Sequence, residues 1–256
     1  MSKAASCRLF VRVLLIVGCA FAPFSAEAEA ITIRSWDSAT QRGSDLFSAP
    51  MGSLDYGAFR NALLARGHTI LPGVSTLSAS SLSAVQVFFH GTSPNIVTAA
   101  EAAALNSFVT AGGYLIVEAN SLSSEQAGAN SMLAALGLGS PYAGATGGGP
   151  SGTFQNVVTA TTVGPLGDLR GLTFGSSLTA DIDPTGGTLV GVNAAIRAMV
   201  EYNAGLGLVL AVGDPYGFGL FYPGGSRFND NNRKAYLNFI EDSYVIPEPG
   251  TLALLC

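Results

Sequence analysis

Charge is what this 256-residue chain has least of: 11% of its residues are charged, against about 25% in an ordinary soluble domain. Its 12 Lys and Arg form no run that could follow a phosphate backbone, and 17 Asp and Glu leave a net charge of −5. That balance argues against nucleic acid as a partner. Cysteine is scarce as well. Cys7, Cys19 and Cys256 are an odd number, so they build no disulfide framework, and their spacing makes no zinc cluster. Histidine is limited to His68 and His90, which leaves two positions for an imidazole base. No repeat of fixed period is present. What is present is a 48% apolar composition, enough to give one large domain or two small ones a core. The 32 Gly and 12 Pro stay below the low-complexity range. These residues speak to an address and a fold more than to an activity.

The first thirty residues carry Lys3, Arg8 and Arg12, then the apolar run Val13 to Ala22, then Ser25-Ala26-Glu27-Ala28-Glu29-Ala30. This is the charged, apolar and A-x-A order of a secretory signal peptide, cut after Ala28 or Ala30 by signal peptidase. The apolar run is too short for a mature membrane span, which needs about 20 residues. Ile16-Val17-Gly18-Cys19 offers a competing lipobox reading, but Arg12 lies too close to it and the A-x-A site lies well downstream. From Ile31 onward nine basic and fifteen acidic residues remain, so removal of the leader makes the chain more acidic.

The other end reads Val245-Ile246-Pro247-Glu248-Pro249-Gly250-Thr251-Leu252-Ala253-Leu254-Leu255-Cys256. By itself this is a proline-stiffened linker leading into an apolar segment. It resembles the PEP-CTERM sorting signal of exopolysaccharide-producing Gram-negative bacteria, in which Pro-Glu-Pro precedes a membrane helix and a short basic tail. The resemblance implies export, an exosortase-type processing enzyme as partner, transient membrane association through the tail, and a place in the cell envelope or extracellular matrix. The rest of the helix and the basic tail are missing from the pattern, and five or six apolar residues do not span a bilayer.

Between the ends, residues 31–244 read as one α/β domain. Ile31 to Trp36, Thr69 to Val74, Ala84 to Phe89 and Tyr114 to Ala119 are four strand-like runs. The last is continuously apolar, as expected of a strand covered on both faces. Helices are expected over Asp55 to Arg66, from the capping box Thr98-x-x-Glu101 to Gly112, over Ser123 to Leu136, and from a cap at Asn229 or Asp230. The pattern predicts a doubly wound, mostly parallel sheet. Gly137 to Gly152 reads as a loop, and a β-rich insertion is expected over about 137–192. Ile196 to Tyr202 and Leu206 to Val212 read as an adjacent pair of strands.

The stretches Ala58 to Ile70, Val87-Phe-Phe-His-Gly91, Thr98 to Val117 and Gly207 to Asp214 resemble the class I glutamine amidotransferase-like superfamily, whose sheet is flavodoxin-like. The closer likeness is to its non-amidotransferase members in exported bacterial proteins. Amidotransferase chemistry needs a cysteine on a strand-to-helix elbow, whereas the matching position reads Glu118-Ala119-Asn120-Ser121 and the domain holds no thiol. The activity is therefore excluded, and no cofactor or metal is called for.

A ligand of an open α/β sheet enters at the carboxyl ends of its strands, where the sequence puts Asp37, His90, Asn120 and Asp214. A polysaccharide or small ligand is the candidate there. Ser121 with His90 as base and Asp37 or Asp214 as orienting carboxylate is the alternative, a serine-type or degenerate hydrolase. Trp36, Tyr216, Phe218, Phe221 and Tyr222 read as an aromatic core or lid, His68 as a surface turn residue, and Asn229 to Asn232 as a helix cap with some likeness to an oxygen-ligand calcium site. Gly137 to Gly152 is no phosphate cradle, since no Lys-Ser/Thr follows it.

Overall fold

The chain enters its domain through β1 (Thr32–Ser35) and helix α1 (Gly57–Ala65), followed by β2 (Thr69–Ile70), α2 (Ala79–Leu82), β3 (Val87–His90), α3 (Ala99–Thr110), β4 (Tyr114–Glu118) and α4 (Ser123–Ala135). Then come β5 (Tyr142–Gly147), β6 (Ser151–Phe154), β7 (Val163–Gly164), β8 (Gly167–Asp168), β9 (Thr173–Gly175), β10 (Leu178–Ile182), β11 (Thr188–Asn193), β12 (Ile196–Ala204), β13 (Gly207–Val212) and α5 (Asp230–Asp242). This is a computed structural model that describes residues 30–36, 57–147, 151–176, 178–214 and 230–242. Ala28, Asp37, the aromatic residues 216–222, Asn229 and the Pro247-Glu248-Pro249 segment lie outside the described residues, while Ala30 is exposed at their start.

Nine strands form one sheet in the order β2-β1-β3-β4-β13-β12-β11-β6-β9. The first five are parallel, and the remaining pairings are antiparallel. Helices cover both faces, so the parallel strands are apolar throughout and feed two cores in alternation. Val87, Phe89, Tyr114, Ile116, Leu210 and Val212 meet Phe59 and Leu63 of α1 and Tyr236, Phe239 and Ile240 of α5. Phe88, Leu115, Val117, Val209 and Ala211 meet Leu82, Leu105, Val109, Met132 and Leu133 on α2, α3 and α4.

The expected second strand is shorter than Thr69 to Val74. After Ile70 the Leu71 amide still donates to the Ile33 carbonyl at 2.9 Å, but the chain then meets Pro72 and Gly73, which weaken pairing, before a bridge joins Val74 to Trp36. The segment 137–152 is not simply a loop. Residues 142–147 form β5 and pair antiparallel with β10. Tyr142 drives this. Its buried hydroxyl donates to the Val117 carbonyl (2.8 Å) and accepts from the Val212 amide (2.9 Å), tying β5 to the middle of the sheet. Asn130 and Gln126 of α4 hold the same strand through the Tyr142 and Gly144 backbone. The β-rich stretch also joins the main sheet, because β6, β9 and β11 extend it past the β12–β13 hairpin.

The capping box at Thr98 is formed: its hydroxyl accepts from the Glu101 amide and Glu101 accepts from the Thr98 amide. The second oxygen of the same carboxylate takes the Leu77 amide at 3.2 Å, coupling α3 to the start of α2. Ser78 and Ser81 cap α2 in the same way. Helix α4 comes close to the strand end after β3 at Gly128. A Cβ there would lie 1.9 Å from the Ser93 carbonyl oxygen. Because the clash is with backbone, Gly128→Ala is expected to cost about 1–3 kcal/mol, read as a lowered urea midpoint. A midpoint equal to that of the parent would show that α4 can move away freely.

The asparagines of α5 have a different task from cation binding. Asn232 is fully buried, accepts the Gly175 amide and donates to the Gly175 carbonyl, both at 2.8 Å, so its side chain pairs with edge strand β9 as another strand would. Asn231 donates to the Thr173 carbonyl, and Asn238 spans Leu166 and Gly167. Asp230 faces solvent, paired with Arg233 and Lys234. The oxygen of Asn232 that a calcium site would need is occupied by the backbone.

Candidate functional site

The carboxyl ends of the parallel strands hold an unusual density of buried polar side chains: Ser35, His90, Thr92, Ser93, Glu118, Asn120 and Asp214 are all at most 2% exposed. Burial of this kind is costly unless the groups are partnered, so each partner reports a role. Asn120 follows β4 and turns the chain into α4. Its Oδ1 accepts the Leu122 amide at 2.6 Å, and its carbonyl accepts the Gln126 side chain at 3.0 Å. Glu118 accepts from the Tyr236 hydroxyl of α5. A charged residue closing the apolar strand Tyr114 to Val117 was a legible sign of a buried carboxylate.

Strand register locates the candidates relative to one another. Glu118 pairs with Val212, which brings Asn120 and Asp214 out level with each other at neighbouring strand ends. His90 pairs with Val117, three residues short of that level. At roughly 3.3 Å per residue it sits about 10 Å deeper along the strands. Asp37 follows Trp36 directly after β1, outside the described residues.

His90 is fully buried, and neither ring nitrogen has a hydrogen-bond partner among the described residues. Its ring stacks at a tilt on Trp36, with centroids 5.5 Å apart. Desolvation pushes its pKa down to about 3, slightly opposed by its own backbone carbonyl. Ser121 is only half buried, and no hydrogen bond joins it to His90. Trp36 itself is a core residue, 3% exposed, donating its indole N–H to the Ser75 carbonyl at 3.1 Å.

His68 is not a surface turn residue. It is 4% exposed, at the opposite edge where the parallel strands begin. Its Nδ1 accepts the Ile31 amide at 3.4 Å, and its Nε2 lies 3.1 Å from Glu241 Oε1. An Nδ1 that accepts fixes the proton on Nε2, which then donates to the carboxylate. Arg66 donates to both oxygens of the same carboxylate. Burial pushes the Glu241 carboxyl upward, and the hydrogen bonds from His68 and Arg66 outweigh it, leaving the group below its ordinary value. Sequence spacing offered no hint of this cluster, since Arg66 and Glu241 are 175 residues apart.

A cleft of about 420 Å³ opens at that same edge, between α2 and α3. No group of three His, Cys, Asp or Glu able to hold a metal occurs among the described residues. None of the described helices is long and apolar enough to cross a membrane.

No protein-family model and no curated protein matches the chain. Several solved structures share its fold. The mmIFT52 N-terminal domain aligns over 84% of this chain and 97% of its own, with TM-score 0.56 and 14% identity. The cytoplasmic protein STM3548 from Salmonella typhimurium aligns over 83% and 98%, with TM-score 0.55 and 10% identity. The β-galactosidase from Bacillus circulans sp. alkalophilus aligns over 84% of this chain but 31% of its own length, with TM-score 0.53 and 12% identity. At such identities the likeness is one of fold: a mixed α/β architecture on a large, mostly parallel central sheet.

Proposed function

We propose that this chain is an exported, non-catalytic protein of the cell envelope or extracellular matrix. Signal peptidase releases it at Ala28 or Ala30, and an exosortase-type enzyme processes it at the Pro247-Glu248-Pro249 segment. Its domain is an amidotransferase-like scaffold without the family's nucleophile. The strand order β2-β1-β3-β4-β13 supports that finer reading, because it follows the 2-1-3-4-5 winding of flavodoxin-like sheets. A small ligand or glycan is the candidate at the carboxyl edge, where Asn120 and Asp214 stand level, with His90 deeper and Asp37 on the adjoining segment.

The observation that carries the non-catalytic reading is His90. An imidazole whose nitrogens have no partner among the described residues, with its pKa pushed down to about 3 by burial, is a weak base. Asn120 is occupied in turning the chain, so the edge is built for structure rather than proton transfer. The Ser121 hydrolase gains no support from this geometry.

The test is intact-mass analysis of the chain produced in a Gram-negative host with and without an exosortase. Loss of the leader is expected in both, and a cut near residues 247–249 only with the exosortase. Replacing Pro247, Glu248 and Pro249 together with alanine should abolish that second cut. A tail left whole in both hosts overturns the sorting assignment.

A further inference from the structure

The cleft between α2 and α3 is walled by Leu82, Val85, Ala104, Phe108 and Ala111, and no ionisable side chain lines it. Its floor is the Phe108 ring lying across Gly113, so close that a Cβ on Gly113 would meet the ring at 2.3 Å. Gln86 and Gly113, which precede β3 and β4, place it at the edge where the parallel strands begin. An open apolar groove of this kind invites an occupant.

The chain supplies one from the same edge. Helix α5 runs against the strands and ends at Asp242, next to Glu241, which Arg66 and His68 hold beside the start of β1. Helix α5 therefore ends at the groove's own edge, on the opposite face of the sheet. Residues 243–251, extended at roughly 3.3 Å each, reach about 30 Å. Crossing the two layers takes about 20 Å, at roughly 10 Å per packed layer. The residues that arrive, Leu252-Ala253-Leu254-Leu255, are apolar and uncharged, matching a groove that is uncharged and mostly apolar, with Ser83, Gln86 and Ser107 also in its lining.

We propose that the groove between α2 and α3 receives the chain's own Leu252–Leu255 segment. Docking there keeps an apolar tail out of water until another partner takes it. The inference stands on where the tail departs and on its chemistry, and is independent of processing by an exosortase.

Cys256, next to the docking segment, is the reporter. With Cys7→Ser and Cys19→Ser it is the single native thiol whether or not the leader is removed. Ser107→Cys and, separately, Ser83→Cys add a second thiol at exposed positions on the groove. Ala65→Cys is the control, exposed beside Arg66 and so nearer the root of the tail but outside the groove. Under mild oxidation of the purified chain, the intramolecular disulfide to position 107 or 83 should form at least about tenfold faster than that to position 65, since a tethered thiol samples nearby sites at similar effective concentration unless one holds it. Adding Leu254→Asp should level the rates. Equal rates without that change, or a faster control, overturn the proposal. A concentration-dependent intermolecular disulfide through position 107 with no intramolecular species also overturns it, and gives the groove to a second copy of the chain.

Discussion

His90→Phe should unfold at a higher urea concentration than the parent at pH 7 and be less sensitive to mild acid. His90 is fully buried, and neither of its nitrogens has a partner among the described residues. A buried polar group without a partner costs about 1–3 kcal/mol, and an apolar ring of similar shape removes that cost. The aromatic contact with Trp36 is kept. The acid effect is larger. In the unfolded chain the imidazole titrates at its ordinary value of 6.5, whereas burial holds it neutral down to about 3 in the fold. Between those values the unfolded state binds a proton that the folded state refuses, so stability falls as pH falls. This penalty is absent above pH 6.5 and grows as pH drops toward 3, at about 1.4 kcal/mol per pH unit and roughly 3–5 kcal/mol in all. Urea unfolding at pH 7, 5.5 and 4.5 reads both effects. Parallel pH curves for parent and variant would mean that His90 is not the group that burial keeps neutral.

Glu241→Ala should destabilise the fold by about 3–5 kcal/mol at pH 7, the usual result of removing one member of a buried charged network. The carboxylate side chain is 2% exposed and bonded by His68 and Arg66, so its loss strands a buried imidazole and loosens the α1–β2 turn, the start of β1 and the end of α5 together. Arg66→Ala should cost much less, about 1 kcal/mol or below, because its side chain is 35% exposed and solvent screens it. The pH window is the check. The folded carboxyl titrates below its unfolded value, so its contribution is present above about pH 4.3 and lost as pH falls through the lowered folded value. Parent and Glu241→Ala should therefore converge as pH falls below about 4.3 toward the lowered folded value. A gap that persists unchanged into strong acid would mean that the carboxylate charge is not what holds the cluster.

Much of the architecture is written in local sequence signals. Strands β1, β3, β4 and β13 and helices α1, α3, α4 and α5 fall where the apolar period and the Thr98 capping box put them. These are local signals: a covered parallel strand is apolar at every position, and an amphipathic helix carries its face in its spacing. The misses are those in which a distant partner decides. Tyr142 sits in a glycine-rich stretch that favours a loop, yet its hydroxyl finds the β4–β13 backbone and makes the stretch a strand. Asn232 reads as a cap or a cation ligand until the edge of β9 takes both ends of its amide. His68, beside a turn glycine, becomes a core residue only because the end of α5 comes to rest against it.

By itself the sequence determined the scarcity of charge, the absence of a thiol from the domain and the alternation of strands and helices, because each depends on residue type or on neighbours a few positions away. It also placed Asn120 and Asp214 at strand ends, which the topology then set level. Only the tertiary structure decided that His90 is a buried imidazole with no partner among the described residues, and that the groove lies at the edge where helix α5 ends. Both depend on which surfaces close over which, and burial is settled by contacts between segments far apart in the chain.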